Sequence, residues 1–201
     1  MTWIRTLDYA QSEGKLREIY DRVKGPDNNV DNILKAHSLR PHSLEGHMAI
    51  YKYVLHHYAN KLPKWLLETI GVYVSLLNAC NYCVDHHFAG LTRLLKDPAR
   101  AKAINEALRA DRPEQAFEGR DLAALRYARK LTREPGAMAQ ADIQAMRDAG
   151  LDDGEILEVN QVTAYFSYAN RTVLGLGVNT KGDILGLSPG DSSDPDNWSH
   201  G

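Results

Sequence analysis

The sequence predicts an all-α protein, and three observations carry the prediction. Apolar residues recur every three or four positions along nearly the whole chain. Helix-starting and helix-ending residues bracket those runs. No convincing alternating run flanked by turn residues, the mark of a strand, interrupts them.

Taken in order, Leu16, Ile19, Tyr20 and Val23 form one helical face, expected to begin at Ser12 and to stop at Gly25–Pro26. A short helix is expected over Val30–Leu39. Leu44, Met48, Tyr51, Leu55 and Tyr58 recur at spacings of four and three, as one long amphipathic helix requires. Pro63 suits a first helical turn, where its missing N–H costs nothing. The helix it opens carries Leu66, Leu67, Ile70, Val74 and Leu77. A break over Asn78–Asn81 then makes Cys80–Lys96 the second arm of a helical hairpin. Asp97–Pro98 reads as an N-cap and first position for the Ala-rich stretch Ala99–Ala110. Leu122, Leu125, Ala128 and Leu131 mark another helix, and Ile143–Ala149 a short one closed by Gly150. Asp152 and Glu155 form a capping box for the last long helix. Its inner face is expected to be Ile156, Val159, Thr163, Phe166, Asn170 and Val173.

The chain has 201 residues, 43% of them hydrophobic and 25% charged, with a formal net charge of -2. These are the proportions of a globular domain with a sizeable core. Residues 1–180 are expected to form one helical domain and 181–201 a tail. From Gly186 that tail is rich in Gly, Ser, Asp and Pro, too poor in apolar surface to order itself. Trp198 is read as a mobile residue, or one that docks on a neighbouring subunit. No basic stripe supports nucleic-acid or anionic-membrane binding. The opening MTWIRTLDYAQSEGK has no apolar signal core, so a cytoplasmic location is expected. The apolar breadth of Leu44–Tyr58 and Leu66–Leu77 leads us to expect a homo-oligomer.

A gapless internal echo sets WLLETIGVYVSLLNACNY, from Trp65, against EILEVNQVTAYFSYANRT, from Glu155. Glu68 falls on Glu158 and Cys80 on Asn170. Two pseudo-repeated helical units around the hairpin would give this pattern, with thiols on the first alone.

The two cysteines stand three apart. Glutathione keeps cytosolic thiols reduced, so an isolated C-x-x-C pair there points to redox or metal chemistry. Cys80 falls at a helix N-terminus, where unpaired N–H groups and the helix dipole favour a thiolate. Cys83 is one turn further on. His86 and His87 follow at three and four residues, each able to lie over a sulfur and take its proton. Antiparallel packing brings Glu68, ten or so residues before the turn, level with His87, and a carboxylate there needs a partner. Glu68 and His87 would then relay protons. Two readings stay open: dithiol redox chemistry, catalytic or sensing, and a Zn²⁺ site with Cys80, Cys83, His87 and Glu68 as four ligands. His37, His42, His47, His56 and His57 share no spacing with an acid or thiol. His56 and His57 are read as helix-end residues and His47 as an undecided pocket candidate.

The pattern Glu68-x11-Cys80-x2-Cys83-x3-His87 resembles the active-site signature of the alkylhydroperoxidase D-like proteins, within the carboxymuconolactone decarboxylase superfamily. Ala164–Val178, AYFSYANRTVLGLGV, is similar to the end of the last core helix in the peroxidase-related branch. The resemblance implies a compact helical fold and thiol-dependent, antioxidant reduction of organic hydroperoxides without a bound cofactor. It implies homo-oligomers and a dithiol electron donor, a lipoyl domain or a thioredoxin-like protein. By position, Cys83 would be the peroxidatic thiol, Cys80 the resolving one, and His87 and Glu68 the relay. Helix-terminus electrostatics alone favour Cys80 as nucleophile. The sequence also has Tyr82 where the best-known members often carry a histidine. The lactone decarboxylase branch of the superfamily does not use a C-x-x-C pair.

Overall fold

The computed structural model describes residues 2–190, 194 and 197–201. It is all-helical, with no strand among the described residues. The helices are α1 Gly14–Val23, α2 Asn32–Ala36, α3 Pro41–Leu55, α4 Lys64–Leu77, α5 Asn81–Leu95, α6 Pro98–Arg109, α7 Gly119–Arg133, α8 Gln140–Asp148 and α9 Asp153–Leu176.

α4 is the axis of the molecule. Nearly every residue from Leu66 to Leu77 is buried, polar Glu68, Thr69 and Ser75 included. A helix apolar all round must be covered on every side. Here α5, α7 and α9 cover it, with α3 and α6 adding smaller contacts. The all-round apolar character of α4 is thus satisfied within one chain and gives no reason for an oligomer. At Gly71 the seam with α9 is tightest: a Cβ there would stand 2.2 Å from the buried Phe166 ring.

Two helix starts follow their sequence signals. Asp97 accepts from the Arg100 N–H at 3.0 Å, with Pro98 in first position. Asp152 and Glu155 exchange bonds of 2.8 and 3.0 Å as a capping box. Ser12 does not cap α1, which begins at Gly14. Its hydroxyl instead donates to the Tyr9 carbonyl and accepts from Arg17 Nε. The helix expected over Val30–Leu39 shortens to Asn32–Ala36, and α3 ends at Leu55, leaving Tyr58 exposed. The α4–α5 turn is made by Ala79 at φ 57°, a left-handed conformation that costs an alanine about 1–2 kcal/mol. The Cys80 N–H closes that turn on the Ser75 carbonyl at 2.9 Å.

The tail departs from expectation. Residues 191–193, 195 and 196 lie outside the described residues. The rest of the segment packs back on its own chain, and Trp198 is buried with the Arg22 guanidinium 3.8 Å from its ring. Gly186, at φ 81°, lies so close to α5 that a Cβ would stand 3.0–3.1 Å from Ala89 and the Gly90 nitrogen. Buried Lys52 of α3 donates to the Gly190 carbonyl, and Arg93 to that of Gly201. The composition argument fails because the segment borrows a core built by α1, α3 and α5 rather than making its own.

Candidate active site

Cys80 is the N-cap of α5 and Cys83 lies in its first turn. Both are free thiols, buried, with their sulfurs 2.7 Å apart. A disulfide, at about 2.05 Å, would close with a small side-chain movement. The hydrogen bond shared with Cys83 lowers the Cys80 thiol below its ordinary pKa. Burial, and then the neighbouring Cys80, push Cys83 well up. Asn170 of α9, the residue that the internal echo aligns with Cys80, lies beside both thiols and donates to Ser75.

The hairpin brings Glu68 and His87 together as the depth argument requires. His87 Nδ1 lies 2.7 Å from Glu68 Oε2, with the carboxylate almost wholly buried. His56 is a residue the sequence reading missed. After Leu55 the chain turns inward, and His56, fully buried, places Nε2 3.8 Å from Glu68 Oε1. Neither of its ring nitrogens has a hydrogen bond, and burial drives its pKa well down, so it stays neutral. Tyr51 stands edge-on to both imidazoles, 4.7 Å from His56 and 6.1 Å from His87. Nothing local marks His56 apart from His57, whose ring only accepts from the Ala59 N–H.

His86 turns away from the dithiol. Its Nε2 lies 3.2 Å from Asp183 Oδ2, which also accepts from Tyr82 Oη at 2.8 Å and from the Asn32 N–H at 3.1 Å. Asp31 is buried near this network, and burial lifts its carboxyl to about 6. Among the described residues, the grouping with three ligand atoms within 4.8 Å of one another is Asp31, His86 and Asp183. Cys80, Cys83, His87 and Glu68 do not converge in that way, which removes the geometric basis of the four-ligand zinc reading. The Asp183 carboxylate is already occupied by hydrogen bonds from Tyr82, Asn32 and His86.

A narrow, partly open pocket of about 40 Å³ lies over Cys83, with Glu68, His86 and His87 in its wall. Tyr51, Tyr165 and Phe166 narrow it, and Leu187, Ser188 and His200 of the tail complete it. His47, the undecided candidate, is fully buried in the same wall. Cys80 does not reach this cavity. It borders a shallow groove on the other side, beside Asn81, Asp85 and Asn179. The dithiol therefore stands between a narrow pocket over Cys83 and a shallower groove beside Cys80.

No family model matches the chain, and no curated protein does. Solved structures do. An uncharacterized peroxidase-related protein from Ralstonia eutropha JMP134, described as an alkylhydroperoxidase AhpD core, superposes with a TM-score of 0.75 at 23% identity. The match covers 89% of this chain and 92% of that one. A peroxidase-related protein from Silicibacter sp. TM1040 is 28% identical over 75% of this chain and 76% of its own, with a TM-score of 0.66. The debrominase Bmp8, in complex with 2,3,4-tribromopyrrole, gives a TM-score of 0.68 at 16% identity, covering 90% and 93%.

Proposed function

We propose that this chain, whose fold is that of the alkylhydroperoxidase D-like proteins, reduces hydroperoxides through its Cys80–Cys83 dithiol, with Glu68 and His87 moving the protons. The observation that carries the reading is the shared pocket: Cys83, His87 and Glu68 line one narrow space, and Cys80 touches Cys83 from outside it.

In the proposed cycle His87, held by Glu68, takes the Cys83 proton, because burial keeps that thiol from ionising unaided. The Cys83 thiolate attacks one oxygen of the hydroperoxide. An S–O bond forms, the O–O bond breaks with its electron pair, and the departing alkoxide takes the proton back from His87 and leaves as an alcohol. Cys80, the more easily ionised sulfur, then attacks the Cys83 sulfenic acid, forming the disulfide and releasing hydroxide, which leaves as water once protonated. The dithiol loses two electrons and the hydroperoxide gains them. An external dithiol, of the lipoyl or thioredoxin-like class, restores the pair. The outward groove beside Cys80 suits attack from that side.

Acidity alone would make Cys80 the first nucleophile. Position favours Cys83 instead, since Cys80 does not border the narrow pocket. The test is trapping. Cys83→Ser should abolish peroxide consumption, while Cys80→Ser should react once and stall as a sulfenic acid on Cys83, visible by mass spectrometry after dimedone labelling. A sulfenic acid trapped on Cys80 in Cys83→Ser protein would reverse the roles, and trapping in neither variant would sink the reading. Repeated turnover with an added dithiol separates an enzyme from a redox sensor. Reductive dehalogenation, suggested by the debrominase neighbour, fits less well: a cavity of about 40 Å³ does not admit a tribrominated ring. No helix among the described residues is long and apolar enough to cross a membrane, and the cycle suits a reducing, cytoplasmic setting.

A further inference from the structure

We propose that the narrow pocket over Cys83 selects a small, uncharged hydroperoxide (hydrogen peroxide, or an alkyl hydroperoxide of one or two carbons) and orients it with His47 and the tail residue His200. The inference rests on the functional reading above and narrows its substrate.

Size comes first. A single water needs about 10–15 Å³ in the measure that gives this cavity about 40 Å³. Two oxygens and a carbon or two fill it. A bulky tertiary or aromatic group does not fit within it. That wall is stiff where it is aromatic: Tyr51 and Tyr165 stack at 5.6 Å, and Tyr165 stands edge-on to Phe166 at 5.3 Å.

Unsatisfied hydrogen bonding comes second. His47 Nδ1 and His200 Nδ1 are buried and have no partner, and both residues line the cavity. A buried nitrogen left unpaired is costly, so two on one small space point to a polar occupant. The other side of each ring is engaged. His47 Nε2 lies 3.5 Å from Tyr165 Oη, and His200 is held by the backbone of Val23 and Trp198. Burial brings His47 down to about 3 and His200 to about 4, so both are neutral near pH 7. A neutral imidazole nitrogen either donates or accepts one bond, and a hydroperoxide offers one O–H and two acceptor oxygens.

Charge comes third. Among the described residues, the ionisable wall groups besides the histidines, tyrosines and Cys83 are the carboxyls Asp31 and Glu68, and no Lys or Arg lines the space. A hydroperoxide bearing a carboxylate, such as one from a fatty acid, finds no cation there and meets Glu68 as a like charge. His200 is placed by a bridge to Pro189, by the Gly201 N–H bonding to the Ser188 carbonyl at 3.3 Å, and by Tyr51 stacked at 6.2 Å. The C-terminal segment thus sets what reaches the thiol.

The test uses the full chain, reduced, in single-turnover oxidation by hydrogen peroxide, cumene hydroperoxide and linoleic acid hydroperoxide. The parent should react with hydrogen peroxide at least about tenfold faster than with either larger oxidant, the scale of one misfitted group in a narrow pocket. Leu187→Ala should shift the ratio of cumene hydroperoxide to hydrogen peroxide rates upward by about tenfold. His200→Ala should slow hydrogen peroxide about tenfold, the worth of one hydrogen bond, with His200→Gln recovering part of it. Circular dichroism and melting of each variant identify any that misfold, and the parent's own selectivity stands as a test without them. Equal parent rates for all three oxidants, or a Leu187→Ala ratio unchanged, would overturn the inference while leaving the peroxidase reading intact. If no hydroperoxide oxidises the dithiol, although diamide still closes it, both fall together.

Discussion

Glu68→Gln removes one charge from the relay and almost no volume. In the parent, Glu68 Oε2 lies 2.7 Å from His87 Nδ1 with the carboxylate side chain 4% exposed. Bulk water and salt therefore do little to screen the pair. A hydrogen bond to a charged group is worth about 1.5–3 kcal/mol. In the proposed cycle the bond strengthens when His87 takes the proton from Cys83, and only that gain, at most the full figure, acts on the barrier to thiolate formation. At about 1.4 kcal/mol per tenfold, the full figure converts to a rate reduction of about 10- to 150-fold. His56, at 3.8 Å from the other carboxylate oxygen, is beyond hydrogen-bond distance and adds little to that figure. The assay is single-turnover disulfide formation at subsaturating hydrogen peroxide, quenched by acid alkylation and read by mass spectrometry. Glu68→Asp keeps the charge but shortens the reach, and should fall between parent and Glu68→Gln. A Glu68→Gln rate within twofold of the parent, in protein of unchanged melting temperature, would refute the relay.

Asp31→Asn should stabilise the protein at neutral pH. Burial raises the folded Asp31 carboxyl from 3.8 to about 6, so the folded state holds that proton more tightly than the unfolded chain. Its contribution is therefore most favourable below pH 4, is lost as pH rises to 6, and is flat above; the gap amounts to roughly 3 kcal/mol at most. Chemical denaturation of parent and variant across pH 4–8 should show this slope in the parent alone, and identical curves would contradict it. Gly71→Ala should destabilise, although alanine gains up to about 1 kcal/mol of helix propensity, because its Cβ would stand 2.2 Å from the buried Phe166 ring. Overpacking of about 1–3 kcal/mol should outweigh that gain and lower Tm by a few degrees, and a Tm at or above the parent's would contradict it. Exposed Ile50 and Tyr53 on α3 and Leu157, Tyr168 and Leu174 on α9 support the homo-oligomer we propose. Light scattering at micromolar concentration should give a multiple of the 22.5 kDa chain mass, and a monomer mass ends that proposal.

Much of the molecule was legible in the sequence because the signals are local. Apolar residues three and four apart mark the helices, Asp97 with Pro98 and Asp152 with Glu155 mark two of their starts, and the spacing of Glu68, Cys80, Cys83 and His87 places all four on one hairpin. Helical rise, with the two arms packed antiparallel, sets Glu68 level with His87, and the structure places them 2.7 Å apart. Position 56 had no such signal: two adjacent histidines at a helix end look alike until the chain turns one inward against Glu68. The α4 stripe read as surplus apolar surface because a sequence does not say how many neighbours a helix has. The tail was the largest misreading. Its composition predicts that it cannot order by itself, but Trp198 and His200 settle in a core contributed by residues more than a hundred positions away. Local pattern determined the helices and the closeness of the two cysteines. Long-range packing alone decided what encloses that pair, because burial belongs to contacts between segments rather than to any one of them.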